Sequence, residues 1–140
     1  MGNDRIAELE RIAQRIHDGQ LDQQGVAYMA HIRRVAEAVS EPAKPVALFH
    51  DAIEDRRISQ SDLQTLLTDE EYAAVRTVTR DAESETYPDF IERIAQREGN
   101  AGELAREVKI ADVRDNVGRL TPELERLRSR YEAALKRLDE

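Results

Sequence analysis

The chain has 140 residues and contains no cysteine, which excludes disulfides and cysteine metal sites, so a metal would have to be bound by His, Asp or Glu. Its formal net charge of −8 argues against sequence-independent binding to nucleic acid or to an anionic membrane surface, because such binding requires a basic surface. No apolar segment approaches the roughly 20 residues that span a membrane and no signal peptide is visible, so we expect a cytoplasmic protein.

Apolar residues recur along the chain at the 3.6-residue period of α-helices, and no segment alternates for long at the two-residue period of strands. The first predicted helix has Asn3 as its N-cap and ends near residues 18–20. A polar turn with two glycines follows. The second helix has one apolar face, formed by Tyr28, Ile32, Val35 and Val39. It ends at the proline-containing break over residues 40–45.

A short third helix is expected to carry Val46, Phe49 and Ile53 up to a group of acidic residues. Residues 59–67 predict another short helix. The sequence TDEE then matches a capping box, with Thr68 as the cap and Glu71 three residues later, and it opens a helix that runs through Val78.

Residues 80–85 predict a polar loop, followed by a helix that begins around TYPD, with Pro88 in the tolerated first position, and runs to about Arg97. Residues 101–116 are amphipathic. A last helix is predicted to open at Thr121 and Pro122. The sequence therefore predicts an all-α fold: one domain over residues 1–140, with about seven helices in a compact bundle.

The sequence HDAIED places His50 and three carboxylates at the predicted end of the third helix, where the helix dipole disfavours negative charge. An acidic, solvated helix end is one interpretation. The preceding apolar run VALF instead draws this segment towards the core, where an unpartnered carboxylate costs several kcal/mol. A divalent cation bound by His50 and Asp51 would resolve the conflict.

Further ligands must come from other helices, and His31 and Asp112 both lie on predicted apolar faces. Taken alone, His31 is more simply a core histidine, and Asp112 an edge carboxylate paired with Lys109 or Arg114. Taken together, two imidazoles and two carboxylates suit Mn²⁺ or Fe²⁺, with coordination positions left open for water and substrate.

His31, the pair His50 and Asp51, and Asp112, in this order on separate helices, resemble the pattern of HD-domain metal-dependent phosphohydrolases. The sequences ALFHDAIED and VKIADVRDN, and the Gly-x-x-Tyr segment before His31, narrow the resemblance. They are similar to the RelA/SpoT-type guanosine tetraphosphate (ppGpp) hydrolase domain and its small stand-alone forms. The resemblance covers roughly residues 13–120.

The resemblance implies specific roles for residues of this chain. The implied Mn²⁺ ligands are His31, His50, Asp51 and Asp112. The implied catalytic pair is Glu54 and Asp55, with Glu54 orienting or deprotonating the attacking water. The residues implied to contact the nucleotide substrate are Asn116, Lys109, Tyr131 and Tyr28.

The sequence departs from the family pattern at two positions and in one length. Gln23 stands where the family has a lysine, Ala27 stands where it has a proline, and the segment from His31 to His50 is short. The best expectation is Mn²⁺-dependent removal of the 3′-pyrophosphate of ppGpp. The alternatives are another nucleotide phosphatase or pyrophosphatase, for example one acting on NADPH, and a non-catalytic nucleotide-binding module. The sequence does not determine the oligomeric state.

Overall fold

The computed structural model describes residues 2–22 and 24–139, and at residues 2 and 3 it describes the backbone alone. Within these ranges the chain forms eight α-helices and two short 3₁₀-helices. The α-helices are α1 (Gly2–Ile16), α2 (Tyr28–Glu37), α3 (Lys44–Phe49), α4 (Gln60–Leu66), α5 (Asp69–Thr77), α6 (Tyr87–Gln96), α7 (Gly99–Gly118) and α8 (Arg128–Leu138). The 3₁₀-helices span Glu41–Ala43 and Pro122–Leu127. The predicted all-α bundle is confirmed.

Helix α7 lies at the centre of the bundle, and α2, α3, α5, α6 and α8 all pack against it. Gly102 lets the link between α6 and α7 lie close to the start of α7, because a Cβ atom at Gly102 would lie 1.9 Å from the carbonyl oxygen of Arg97. Further along, Ala105 and Val108 are fully buried, and Asp112 lies one turn beyond Val108 on the same buried side. The central position of α7 therefore brings a carboxylate into the core.

The predicted helix starts at α5 and α6 are confirmed. Thr68 accepts a hydrogen bond from the Glu71 backbone N–H, and the Glu71 side chain accepts one from the Thr68 N–H, which completes the capping box. At α6, Thr86 is the N-cap and accepts from the Asp89 N–H, and Pro88 is the second helical residue, one position later than predicted. Helix α1 begins at Gly2, so Asn3 lies within the helix and is not its cap, and the Asn3 side chain lies outside the described part of the chain.

The prediction of a third helix extending through Ile53 is wrong, because α3 ends at Phe49. Residues 50–56 form successive turns instead, and Arg56 has a φ of 58°, in the left-handed region. The Asp55 N–H still bonds to the Asp51 carbonyl, but the Arg57 N–H reaches back to Ala52. Ending the helix before the acidic residues keeps most of their charge away from its negative end.

The last predicted helix is divided in two. Residues Pro122–Leu127 form a 3₁₀-helix, Thr121 makes no side-chain capping bond there, and α8 begins only at Arg128. The tighter winding of a 3₁₀-helix places side chains three residues apart on one side. Leu124 and Leu127 accordingly both face the cleft described below.

The turn before α2 is fixed by backbone bonds. The Tyr28 N–H donates to the Gln20 carbonyl, and Asp22 accepts from the backbone N–H groups of Gln24 and Val26. Gly25 has a φ of 79°, which an L side chain adopts only with strain. Gln23, the position that departs from the family lysine, lies outside the described residues.

Candidate metal centre

Three segments meet at one buried cluster of metal-binding side chains. Helix α2 contributes His31, the turn after α3 contributes His50 and Asp51, and α7 contributes Asp112. One potential ligand atom from each of the four lies within 4.8 Å of those of the other three. Both histidines and Asp112 are buried. The structure therefore brings together all four residues predicted as metal ligands.

The hydrogen bonds of the two imidazoles indicate which nitrogen faces the cluster. His50 Nδ1 lies 2.7 Å from the Ala47 carbonyl oxygen, so this nitrogen donates, and Nε2 carries the lone pair of the neutral ring. That Nε2 faces Asp51 Oδ2 at 3.1 Å and Asp112 Oδ1 at 3.3 Å. A lone pair directed at carboxylate oxygens requires either a proton or a cation between them.

His31 has the same arrangement with a different partner. Its Nε2 lies 2.8 Å from Asp112 Oδ1, and its Nδ1 lies 2.6 Å from Asp115 Oδ2. Sequence reasoning missed Asp115. Its signal was present, because Asp112 and Asp115 are three residues apart and side chains at that spacing lie on one face of a helix.

The carboxylates of Asp51 and Asp112 lie close together in the cluster, and each affects the ionisation of the other. Burial raises the pKa of Asp51 well above its usual value, and the nearby Asp112 carboxylate raises it further. Burial also acts to raise the pKa of Asp112, but the Lys109 ammonium and the two histidines outweigh it and hold that pKa well below its usual value. The cluster thus favours the ionised form of Asp112 and disfavours the ionised form of Asp51.

Lys109 places a positive charge next to the cluster. Its Nζ donates to Asp112 Oδ2 at 2.9 Å and lies 5.0 Å from the centre of the Phe90 ring. Burial lowers the pKa of Lys109, but the carboxylates of Asp112 and Asp51 and the Tyr87 hydroxyl raise it more, so it stays charged. The pairing of Asp112 with Lys109 therefore exists, but it engages only one of the two Asp112 oxygens.

The donor set fits a divalent metal ion. Two imidazole nitrogens and two carboxylate oxygens from separate segments suit Mn²⁺, Fe²⁺ or a similar cation, and a doubly positive ion would offset the repulsion between Asp51 and Asp112. The Nδ1 bonds of both histidines leave their Nε2 atoms directed at the cluster, and hydrogen bonds of this kind orient the histidines of metal sites.

The predicted catalytic pair lies just beyond the cluster, at the surface. Glu54 Oε1 accepts a hydrogen bond of 2.9 Å from the backbone N–H of Arg80. Asp55 Oδ2 accepts one of 3.0 Å from the Gln20 side-chain amide, whose oxygen lies 2.7 Å from His17 Nδ1. Both carboxylates are thereby held by groups from other parts of the chain, and the sequence alone indicated neither partner.

A cleft of about 360 Å³ opens at the cluster. Four of its lining residues are carboxylates, Asp22, Asp51, Glu54 and Asp55. Its remaining lining residues are Gln20, Leu21, Gln24, Tyr28, Asn116, Arg119, Leu120, Leu124, Leu127 and Tyr131. The lining of the cleft thus combines carboxylates with leucine and tyrosine side chains.

The residues predicted to contact substrate fall into two groups. Asn116, Tyr131 and Tyr28 line the cleft, as a contact with substrate requires. The Tyr28 hydroxyl also donates to Asp51, so it contacts a candidate ligand. Lys109 is not among the lining residues and lies beneath the cleft, bonded to Asp112.

Comparison with known proteins supports the fold. No protein-family model matches the sequence. A search of curated proteins likewise finds no match. Among solved structures, a metazoan ortholog of SpoT, described as hydrolysing ppGpp and acting in starvation responses, matches with a TM-score of 0.78 at 24% sequence identity. The match covers 96% of this chain and 85% of that chain, so the chain has the SpoT-like, HD-domain fold.

None of the described helices is both long enough and apolar enough to cross a membrane.

Proposed function

We propose that this protein is a metal-dependent phosphohydrolase acting on a nucleotide. The best single substrate is ppGpp, from which the enzyme would remove the 3′-pyrophosphate. The observation that carries the proposal is the cluster of His31, His50, Asp51 and Asp112, which borders a cleft at Asp51, where Glu54 and Asp55 also line it. The structural match to a protein described as hydrolysing ppGpp supports the same class of substrate. We also propose that residues 1–140 form a single domain around the buried core, to which α1 and α8 both contribute.

The four clustered residues are the proposed metal ligands, with Mn²⁺ as the proposed ion. A divalent ion bound there would supply Lewis-acid polarisation of a phosphoryl oxygen and would lower the pKa of a nearby water. Lys109, bonded to Asp112, keeps that carboxylate ionised and able to bind a cation. The Tyr28 hydroxyl orients Asp51 from the cleft side.

Glu54 is the proposed general base. The bond from the Arg80 N–H holds one of its carboxylate oxygens, and no bond to the other is seen within residues 2–22 and 24–139, so that oxygen can take a proton from the attacking water. Asp55, fixed by the Gln20 amide, lies beside it and can hold the same water in line with the phosphorus atom. Glu54 therefore accepts the proton, and Asp55 orients the attacking water.

Other lining residues of the cleft suit the nucleoside. Leu120, Leu124 and Leu127 offer apolar contact, and Tyr131 offers an aromatic face for a base or ribose. The Asn116 side-chain amide can form hydrogen bonds with polar groups of the nucleotide. Binding the nucleoside at these residues would leave a phosphate to lie beside the proposed metal.

One observation favours the alternative of another nucleotide substrate. Arg119 is the single basic side chain among the residues found to line the cleft, and its guanidinium is 2.8 Å from Asp22. A nucleotide with two pyrophosphate groups would meet little unpaired positive charge there. A less highly charged nucleotide, such as a 2′- or 3′-phosphorylated dinucleotide like NADPH, therefore stays a second candidate.

The test is a substrate panel on purified protein with added Mn²⁺. Phosphate or pyrophosphate release from ppGpp is expected, and release from a different nucleotide alone would favour the second candidate. Glu54→Gln removes the proposed base and is expected to lower kcat about 10²- to 10⁴-fold with little change in metal content. The matched control is Glu8→Gln, which changes an exposed glutamate that pairs with Arg11 on α1. If the parent hydrolyses no nucleotide but binds one, and Glu54→Gln binds it equally well, the protein is a non-catalytic nucleotide-binding module.

A further inference from the structure

We propose that Asp115 is a positioning residue for the candidate metal ligand His31, and that Arg34 holds Asp115 in place for this task. The inference rests on the proposed metal site but extends it to two residues that lie outside both the ligand set and the cleft. The metal affinity of the cluster would then depend on the Asp115 carboxylate and the Arg34 guanidinium, although neither group contacts the ion.

The contacts form a continuous chain from the surface of α2 to the cluster. Arg34 Nε donates to Asp115 Oδ1 at 2.7 Å, and Arg34 Nη2 donates to Asp115 Oδ2 at 3.1 Å. The same Oδ2 lies 2.6 Å from His31 Nδ1, and the other ring nitrogen of His31 lies 2.8 Å from Asp112. A forked, two-bond guanidinium contact fixes the plane of the carboxylate as well as its position.

The orientation of this contact determines which nitrogen of His31 can bind a metal. A carboxylate can only accept, so Asp115 keeps a proton on Nδ1, and a cation bound at the cluster would replace the proton that otherwise lies between Nε2 and Asp112 Oδ1. Without an acceptor at Nδ1 the ring could rotate or exchange its tautomer, and Nε2 would lose its fixed direction. The partner of His50 is a neutral backbone carbonyl, so only His31 has a charged acceptor that strengthens its nitrogen as a ligand.

The geometry differs from that of an ordinary surface ion pair. The Asp115 side chain is only 13% exposed and shares one oxygen between an arginine and a buried histidine. The neighbouring residue on α2 provides the contrast. Arg33 makes one long contact of 3.4 Å with Glu10 of α1, whose side chain is 46% exposed, together with a hydrogen bond to Gln14. Arg33 therefore has the same charge, helix and sequence neighbourhood as Arg34 but no connection to the cluster.

The experiment measures Mn²⁺ affinity on metal-free protein by competition with a chelator, independently of catalysis. Asp115→Ala is expected to weaken Mn²⁺ binding about 10- to 100-fold, the usual effect of removing a hydrogen-bond partner of a metal-bound histidine. Asp115→Asn keeps an acceptor oxygen and is expected to have a smaller effect. Arg34→Gln is expected to weaken binding also, whereas the matched control Arg33→Gln is expected to bind like the parent.

A spectroscopic readout separates positioning from loss of folding. In protein loaded with diamagnetic Zn²⁺, a short bond to a carboxylate shifts the His31 Nδ1 proton far downfield, and this shift is expected to disappear in Asp115→Ala while the backbone spectrum stays folded. Parent-like Mn²⁺ affinity in Asp115→Ala, or equal effects of Arg33→Gln and Arg34→Gln, would overturn the proposal. If the parent binds Mn²⁺ and the variants weaken it but no nucleotide is hydrolysed, the positioning role stands and the proposed function fails.

Discussion

Replacing Asp112 by Asn is the sharpest test of the metal centre, because Asp112 joins the central helix α7 to both histidines and to Lys109. In metal-free protein the substitution acts in two directions. It removes the ion pair with Lys109, which destabilises the fold, and it removes the repulsion that raises the pKa of Asp51, which stabilises it. The stability of the metal-free variant alone is therefore a poor measure of the site.

The stabilisation that Mn²⁺ adds is the quantity to compare. A ligand at 100 times its dissociation constant adds about 2.7 kcal/mol to the free energy of unfolding, and for a chain of this size that raises the melting temperature by roughly 5–11 °C. The metal would link three segments that are far apart in sequence, α2, the turn after α3, and α7, so this increment is gained only by the folded state. Asp112→Asn removes one of four donors, and the increment is expected to vanish at the same Mn²⁺ concentration.

Thermal unfolding with and without Mn²⁺ checks this, followed by circular dichroism, with bound metal measured by elemental analysis. The control is Asp139→Asn, which changes an exposed aspartate near the end of the described chain that lies 3.8 Å from Arg114. It is expected to keep the full increment. Undiminished Mn²⁺ stabilisation and metal content in Asp112→Asn would show that the four-residue cluster is not the metal site.

Two further predictions concern the pH dependence of stability at residues other than the four candidate ligands. Burial lowers the pKa of His17 below its usual 6.5, so the unfolded chain binds more protons, and the free energy of unfolding is expected to fall as pH drops from 6.5 towards the folded-state pKa. Denaturant unfolding across this range should show a larger fall in the parent than in His17→Asn. Although burial raises the pKa of Glu71, hydrogen bonds from Arg5 and Thr68 lower it more, to a net value below 4.5. Glu71→Gln keeps the capping box but loses the charge, so we expect ~1 kcal/mol less stability at pH 7 and no difference once the pH is below the folded-state pKa of Glu71; a constant difference at all pH values would refute this.

Much of the local structure follows from short-range patterns. The Thr68 capping box and the Thr86 cap depend on residues within one helical turn, and the structure contains both. The prediction of a helix through Ile53 is wrong, because α3 ends at Phe49. The helical periodicity of apolar residues continues past that point, although the acidic residues there disfavour a helix end. The sequence pattern alone therefore does not locate the end of the helix. The prediction of a single helix from Thr121 is wrong as well, because residues Pro122–Leu127 wind as a 3₁₀-helix and α8 begins only at Arg128.

The sequence by itself determined the all-α fold and the candidate ligands His31, His50, Asp51 and Asp112, because residue type and 3.6-residue periodicity are local properties. Only the tertiary structure decided how these side chains are held. The Asp115 carboxylate meets His31 across 84 positions in the chain, and the Asp55 carboxylate meets Gln20 across 35. Such contacts depend on how helices cross in three dimensions, and that crossing is fixed by the packing of side chains around α7 as a whole.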